Sequence, residues 1–347
     1  MSTTRVTKDQ DNWRKSLAPY EKSNTKYSVW QLINTLVPFF GLWYLAYLSL
    51  SVSYWLTIPI MVLAGGFLVR TFIIFHDCCH RSFFKNRKAN TIVGNITGIM
   101  TLCSYDQWRY SHSMHHATNG NLDKRGTGDI WTLTVNEYLA LSPLRRWVYR
   151  MYRNPMIMFT IGPIYTFLLI YRFNRKGAPK KERMNTYMVN VALVAIIGLL
   201  CWAIGWQAFL MIQGPIFFIS GVGGIWLFYV QHQFEESYFE EEENWNYVKA
   251  AMHGSSFYKL PKVLHWITGN IGFHHIHHLS SRVPNYFLES AHNTSPVLQD
   301  VQTITLLTSL QSLRFRIWNE DTKKFIGFKD IDTSLKVKNK KQHQKAG

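Results

Sequence analysis

Charged side chains are absent from two long stretches of the 347-residue chain. No Asp, Glu, Lys or Arg occurs between Tyr27 and Val69, or between Met184 and Phe234. Each stretch exceeds the roughly 20 apolar residues that cross a bilayer once, and each is long enough for two crossings. The sequence therefore predicts an integral membrane protein rather than a water-soluble domain.

Each charge-free stretch contains a short turn near its middle and so predicts a helical hairpin. The fold class expected is an all-α integral membrane protein with two transmembrane hairpins, interfacial helices and a cytoplasmic helical cap. We expect the four spans at about residues 30–50, 54–75, 187–204 and 209–230.

Acidic residues are scarce outside these stretches, and the formal net charge is +17. Residues 81–183 carry 17 Lys and Arg against five acidic residues. Because positive loops stay in the cytoplasm, this asymmetry places the polar segments and both termini on the cytoplasmic face of the cell membrane. The positive charge therefore indicates the orientation of the protein in the membrane, and it would also attract anionic lipid headgroups. No nucleic-acid partner is expected. Arg70, at the end of the first stretch, is expected to snorkel to the cytoplasmic interface.

Two apolar stretches, 92–103 and 156–171, are short for a span, and both contain glycine. A full crossing here would separate the histidine clusters described below, so both are predicted to be interfacial or re-entrant helices. An ordinary buried helix of the cap is the alternative for either. The domain organisation predicted is a cytoplasmic segment (1–29), one membrane domain (30–330) and a basic, disordered tail (331–347).

Cysteine is also rare: the chain has four, with neither disulfide nor zinc-ribbon spacing. This usage fits a protein that faces a reducing compartment. A metal site in this chain must therefore use other ligands.

Histidine, by contrast, is concentrated in three clusters. Residues three and four apart share one face of a helix, so we expect each cluster to present its imidazoles together to one ion. The clusters comprise His76 and His80, then His112, His115 and His116, then His274, His277 and His278.

Eight imidazoles on one side of the membrane exceed the four ligands of zinc or the six of an octahedral ion, so they predict two metals. His232, at the end of the last span, is a ninth candidate ligand. His275 lies off the shared face and is not assigned, and His253, His265, His292 and His343 follow no pattern.

An all-imidazole set for two metals at a membrane surface indicates redox chemistry with O2 on a lipid, with iron as the leading metal. An unactivated methylene has no acidic proton, so acid–base groups alone cannot attack it. Two enzymatic interpretations remain, a desaturase and a hydroxylase acting on alkanes, acyl chains or carotenoids. A membrane metal carrier or sensor is the third, although it should place polar ligands inside its spans.

The three clusters resemble the histidine boxes of the membrane fatty acid desaturases: HxxxH at 76–80 and HxxHH at 112–116 and 274–278. The likeness extends through Phe75–His80, Leu122–Asp129 and Gly269–His278. Over nearly the full chain it is similar to the bacterial acyl-lipid Δ5 desaturases of membrane phospholipids. This resemblance implies a di-iron centre held by the eight box histidines and His232, with O2 and two electrons consumed for each cis double bond.

The resemblance also bears on the surroundings of the site. Animal acyl-CoA desaturases have an Asn one turn before the ninth histidine, where this chain has Phe228. Carboxylates that orient metal-bound imidazoles are expected at Asp77 and Asp129, with Asp106 and Asp123 as further candidates.

No His-Pro-Gly-Gly haem motif occurs in the sequence, so we expect an external electron donor. Related bacterial enzymes use ferredoxin or flavodoxin. Both carriers are acidic and would suit a basic cytoplasmic face.

Overall fold

The computed structural model describes residues 13–331, and these are mostly helical. The first 12 residues and the tail from 332 lie outside the described residues, so the prediction of a disordered tail stays a prediction. The helices are α1 (residues 13–17), α2 (Thr25–Ser49), α3 (Tyr54–His80), α4 (Arg87–Met100), α5 (Tyr105–Thr118), α6 (Val135–Ala140), α7 (Pro143–Tyr152), α8 (Pro155–Pro163), α9 (Lys180–Ile204), α10 (Trp206–His232), α11 (Tyr247–His253), α12 (Lys262–Ile267), α13 (His274–Leu279), α14 (Leu288–Thr294) and α15 (Leu306–Ser309).

The two predicted hairpins are present as α2–α3 and α9–α10. All four helices are long and apolar enough to cross a membrane, and many of their large apolar side chains face outward. Trp202 on α9 is 83% exposed and Val194 is 74% exposed, as expected of side chains that contact lipid rather than a protein core. The predicted fold class is confirmed: a helical membrane protein.

The second span of each hairpin is longer at its histidine-bearing end than the bounds predicted from the sequence. Helix α3 continues past residue 75 to His80, and α10 continues past residue 230 to His232. A helix keeps its backbone hydrogen bonds internal, so it can run from lipid into the cap without exposing unsatisfied polar groups.

A fifth segment of the described chain, Pro155–Arg172, also has the length and composition of a span. Its first half is α8, and it continues as a π-helix (Ile164–Leu169) and a 3₁₀ turn (Ile170–Arg172). It corresponds to the stretch 156–171 that the sequence predicts to be interfacial or re-entrant. The other such stretch, 92–103, lies mostly in the 14-residue α4, which is too short to cross.

Arg70 does not snorkel to the interface, so that prediction is wrong. The side chain is 5% exposed, and its Nε donates to Thr35 Oγ1 at 3.0 Å. Its guanidinium lies 4.1 Å from the centre of the Trp266 ring. Arg70 thus has a hydrogen-bond acceptor on α2 and an aromatic ring on α12 as partners. The side chain therefore joins α3 to both helices.

The cap contains two small sheets that the sequence did not indicate. Each consists of two three-residue strands, which are too short to change the fold class. Strands β1 (Phe257–Lys259) and β2 (Thr303–Thr305) pair in parallel, whereas β3 (Ile317–Asn319) and β4 (Lys324–Ile326) pair antiparallel.

The main core of the cap packs around the third histidine cluster. Ile276 and Leu279 on α13 are buried against Tyr258 of β1 and Leu288 of α14. Helix α13 is only six residues long, so this packing rather than intrinsic propensity must hold it in place. The cap thereby brings α13 against the histidine-bearing ends of α3 and α10.

Candidate metal centre

The first pair of site histidines occupies the last turn of α3. His76 and His80 are one turn apart and their ring centres are 4.8 Å apart. The helix ends at Arg81, which adopts a left-handed conformation with φ of 61°. His80, the last residue of the helix, is half-buried.

Helix α5 brings the second cluster beside the first. Tyr105 Oη donates to the carbonyl oxygen of Cys78 at 2.9 Å and so joins the start of α5 to the last turn of α3. Trp108 stacks on the His112 ring with centres 4.3 Å apart. The sequence did not single out Trp108, although its position one turn before His112 was a visible signal.

The structure gathers all nine predicted histidines into two groups. Within each group, the nitrogens that could bind a metal all lie within 4.8 Å of one another. We call these the five-histidine group and the four-histidine group. They comprise His76, His80, His112, His116 and His277, and His115, His232, His274 and His278, respectively.

The expectation that each three-histidine box would serve one ion is wrong. In each box the i and i+4 pair joins one group and the i+3 residue joins the other. His112 and His116 belong to the five-histidine group and His115 to the four-histidine group, since 100° per residue places i+3 and i+4 on opposite flanks of residue i. His277 likewise separates from its neighbours on α13.

Several imidazoles are held from behind through Nδ1. His115 Nδ1 lies 2.5 Å from Asp129 Oδ1, and His76 Nδ1 lies 3.1 Å from Asp77 Oδ1. His232 Nδ1 donates to the carbonyl oxygen of Gly254 at 2.9 Å. Each contact places the proton on Nδ1 and leaves the Nε2 lone pair directed into the group.

Both predicted orienting carboxylates are themselves anchored. Asp77 Oδ2 accepts from the backbone N and side-chain Nδ2 of Asn285, at 2.6 and 2.9 Å. Asp129 Oδ2 accepts from the backbone N of Gly126 at 3.1 Å. Asp106 and Asp123 do not contact a site histidine: Asp106 pairs with Lys181, and Asp123 accepts from the Glu242 backbone.

The donor set fits two metal ions. Imidazole nitrogens face one another closely, with His76 Nε2 2.9 Å from His112 Nε2 and His232 Nε2 2.9 Å from His274 Nε2. His277 Nε2 is buried without a hydrogen-bond partner among the described residues. In the unprotonated form that binds metal, the lone pairs of such neighbouring nitrogens repel, and a cation between them removes that cost.

Protonation cannot relieve this crowding. At five site histidines of the cap the pKa is well below its ordinary value. The main cause is burial, and the second is the proximity of the other imidazoles. Neutral imidazole is the form that binds metal, so the environment keeps these side chains competent as ligands. The five are His112, His116, His274, His277 and His278.

His275 points away from both groups, in agreement with its predicted position off the ligand face. Its Nε2 lies 3.0 Å from the carbonyl oxygen of Leu298 and 3.1 Å from His292 Nδ1. It therefore belongs to the packing between α13 and α14.

The family model for "Fatty acid desaturase" matches residues 53–302, which include all nine histidines. A fatty acid desaturase of Bacillus subtilis (strain 168) is 60% identical over 331 residues, covering 95% of this chain and 94% of that protein. The chain belongs to the fatty acid desaturase family.

More distant relatives in this family act on acyl groups in lipids. The sn-1 oleoyl-lipid 12-desaturase of Synechocystis sp. is 27% identical, covering 72% of this chain and 71% of that protein. The sn-1 acyl-lipid omega-3 desaturase (ferredoxin) of Nostoc sp. is 26% identical, covering 70% and 69%. The chain itself, as a member of this family, is a membrane-bound oxidoreductase, a fatty acid desaturase.

A cavity of about 880 Å³ opens beside the histidines of this desaturase. His76, His112 and His274 line one end, so the cavity reaches both groups. Its wall is otherwise mainly apolar and follows one face of α10 from Gln231 to Phe217. The sequence did not predict this chamber, because its lining comes from helices that are distant in the chain.

Phe228 occupies the position one turn before His232. Its ring centre is 5.1 Å from that of His115 and 5.3 Å from that of His232. An aromatic ring there offers no hydrogen bond to a metal-bound water, so Phe228 covers the four-histidine group with an apolar surface.

Proposed function

We propose that this protein is an O2-dependent desaturase that introduces a cis double bond at the Δ5 position of saturated acyl chains in membrane phospholipids. Its product would increase membrane fluidity. The observation that carries the proposal is the apolar cavity, which reaches both histidine groups and continues between membrane-embedded helices. A chamber of this size and polarity suits an acyl chain.

Two iron ions are the proposed metals, one for each group. When bound, they would supply the removal of two hydrogen atoms from neighbouring methylenes at the expense of O2. In balance, O2 takes these two hydrogens together with two protons and two carrier electrons, and leaves as two waters. The nine histidines would act as ligands, with Asp77, Asp129 and the Gly254 carbonyl holding three imidazoles in orientation.

The protein's own residues would position the chain and exclude water. Trp108 and Phe72, which are 5.5 Å apart between ring centres, stand at the junction of the cavity and the five-histidine group. Phe228 performs the same role at the four-histidine group. Apolar walls that exclude water would ensure that the oxidant reacts with a methylene of the acyl chain rather than with solvent.

The depth of the cavity supports a double bond near the carboxyl end. From Gln231 to Phe217 the lining extends about 21 Å along α10 at about 1.5 Å per residue. One leaflet of the hydrocarbon core is only about 15 Å thick. A chamber this deep accommodates most of the acyl chain beyond the metals, as Δ5 chemistry requires.

The orientation proposed has the histidines and both termini in the cytoplasm. We propose further that Pro155–Arg172 is re-entrant. Its flanks support this, since Arg153 NH2 donates to Gln233 Oε1 beside His232 at 2.5 Å. At the other end the Arg175 guanidinium lies 3.6 Å from the ring centre of Tyr110, two residues before His112. Both ends are thus at the level of the site.

Ferredoxin or flavodoxin is proposed as the electron donor. The Nostoc relative is named as a ferredoxin enzyme, and the basic polar segments of this chain attract acidic carriers.

The test is expression of the full chain in a host that makes no unsaturated lipids, aerated and supplied with iron, with His277→Ala as the inactive control. Mass spectrometry of derivatised phospholipids should show new double bonds at C5 with the wild-type chain alone. Hydroxylated chains instead would identify a hydroxylase. No lipid product together with metal flux into vesicles would identify a carrier.

A further inference from the structure

The surface around the two histidine groups is divided by charge. Residues 78–118, which carry much of the five-histidine group, contain five basic residues and one acidic residue. Beyond the four-histidine group, residues 235–243 contain six glutamates and no basic residue. The two segments therefore carry net charges of opposite sign.

The two histidine groups also differ in their access to solvent. His80 and His116 of the five-histidine group are half-buried, whereas all four members of the other group are buried. The ring centres of His80 and His116 are 4.8 Å apart. The shortest route for an electron from solvent to the histidines therefore begins at His80 and His116, at the edge of the five-histidine group.

The basic residues on that side come from the segments that directly follow His80 and directly precede His112. Arg81 directly follows His80, and Arg109 precedes His112 by three residues on the same helix. Asn90 Oδ1 accepts from the backbone N of Phe84 at 3.0 Å and holds the loop after α3 against α4. We call the set the basic surface; it comprises Arg81, Lys85, Arg87, Lys88 and Arg109.

These cations are available to a partner. Arg81, Lys85, Arg87 and Lys88 are exposed, and none of the five pairs with a carboxylate of the described residues. The one acidic residue between them, Asp106, faces Lys181. On the other side four of the six glutamates pair with lysines: Glu235 and Glu236 with Lys324, Glu240 with Lys323 and Glu242 with Lys124. The basic residues on that side are thus engaged by carboxylates.

We propose that the basic surface is the docking site for an acidic one-electron carrier protein, which delivers electrons through the exposed edges of His80 and His116. This inference rests on the proposed desaturase function. Complementary charge steers encounter and orients the partner, and it would suppress docking over the glutamates of 235–243. The carrier is oxidised by one electron at each encounter, and two encounters supply the pair that each double bond requires.

Lys88→Glu tests this, with Lys249→Glu as its matched control. Both lysines are exposed and lie in the first turn of a helix, α4 and α11. An acidic side chain there is favoured by the helix dipole, so neither change should unfold the protein. Only Lys88 belongs to the basic surface, whereas α11 lies against α13 on the four-histidine side.

The measurement is desaturation by the full chain in phosphatidylcholine nanodiscs, driven either by reduced flavodoxin or by dithionite. We expect Lys88→Glu and Arg109→Glu to raise KM for flavodoxin at least about tenfold at low salt, with the difference shrinking at high salt. Lys249→Glu should stay within about twofold of wild type, and dithionite-driven turnover should be unchanged in all variants.

Equal KM values for Lys88→Glu and Lys249→Glu would overturn the docking site. So would an equal loss with dithionite, which would show a structural role. A difference that appears only in anionic nanodiscs would assign the surface to lipid headgroups and overturn it too. If the wild type makes no double bond with either reductant, the proposed function fails instead, independently of the docking site.

Discussion

At the scale of single residues, position along a helical turn decides whether a histidine can join one of the two groups. His277 lies in the five-histidine group, while His275, two residues earlier, is bonded to Leu298. Both are buried, so burial alone does not distinguish them. The direction in which each ring points does.

We therefore expect His277→Ala to abolish desaturation and lower the bound iron, because a ligand is lost. His275→Ala should keep its iron and substantial activity, with a stability loss of about 1–3 kcal/mol from the unpaired Leu298 carbonyl. Iron by mass spectrometry, lipid analysis and thermal unfolding would measure the three effects. Equal loss of iron in both variants would contradict the assignment.

Asp129→Asn is the second residue-scale prediction. The amide removes the negative charge behind His115, so metal affinity in the four-histidine group should fall about 10–100-fold. Asp123→Asn is its control, since Asp123 is in the same loop but bonds to the Glu242 backbone. Competition with a metal chelator would measure both variants, and similar curves would count against the orienting role of Asp129.

At the scale of elements, close helix approach forms the wall of the cavity. A Cβ added at Gly221 of α10 would lie 2.8 Å from Pro163 Cβ, at the junction of α8 with the π-helix. Only glycine permits that contact. A Cβ at Gly198 of α9 would meet nothing within 4 Å.

Gly221→Ala is therefore expected to push α8 from α10 and to cost about 1–3 kcal/mol of stability, as overpacking does. Gly198→Ala should be neutral or stabilising, because alanine is the better helix former. Thermal unfolding in detergent would compare the two, and equal melting temperatures would contradict the contact. Activity should fall only in Gly221→Ala, since its helix lines the cavity.

At the scale of the whole molecule, the metals should contribute to holding the helices together. The two groups take ligands from α3, α5, α10 and α13, and without a cation their Nε2 lone pairs oppose one another. Removing iron with a chelator should lower Tm, and adding Fe²⁺ should restore it, because an ion that binds only the folded state stabilises it.

Zn²⁺ provides the control for this prediction. It accepts imidazole ligands but has no redox chemistry, so it should restore Tm without restoring desaturation. An unchanged Tm after verified metal loss would show that the cap alone holds the ligands in place.

Much of this protein could be predicted without its structure. The charge-free stretches indicated the membrane class and the two hairpins, because the bilayer imposes length and apolarity on each span separately. The nine candidate ligands were also visible, since helical spacing is a local property. Local rules, however, did not foresee that Arg70 would find its partners on α2 and α12 rather than at the interface.

What only the tertiary structure decided is how distant segments combine. Spacing within a box places the i+3 and i+4 residues on opposite flanks, but the rotation of α5 and α13 against α3 and α10 decides which group each residue joins. The cavity and Trp108's stacking on His112 likewise arise from contacts between helices remote in the chain. Sequence by itself determined which side chains could bind metal and which segments enter lipid, because both are properties of single elements. Packing determined which nitrogens come together in each group.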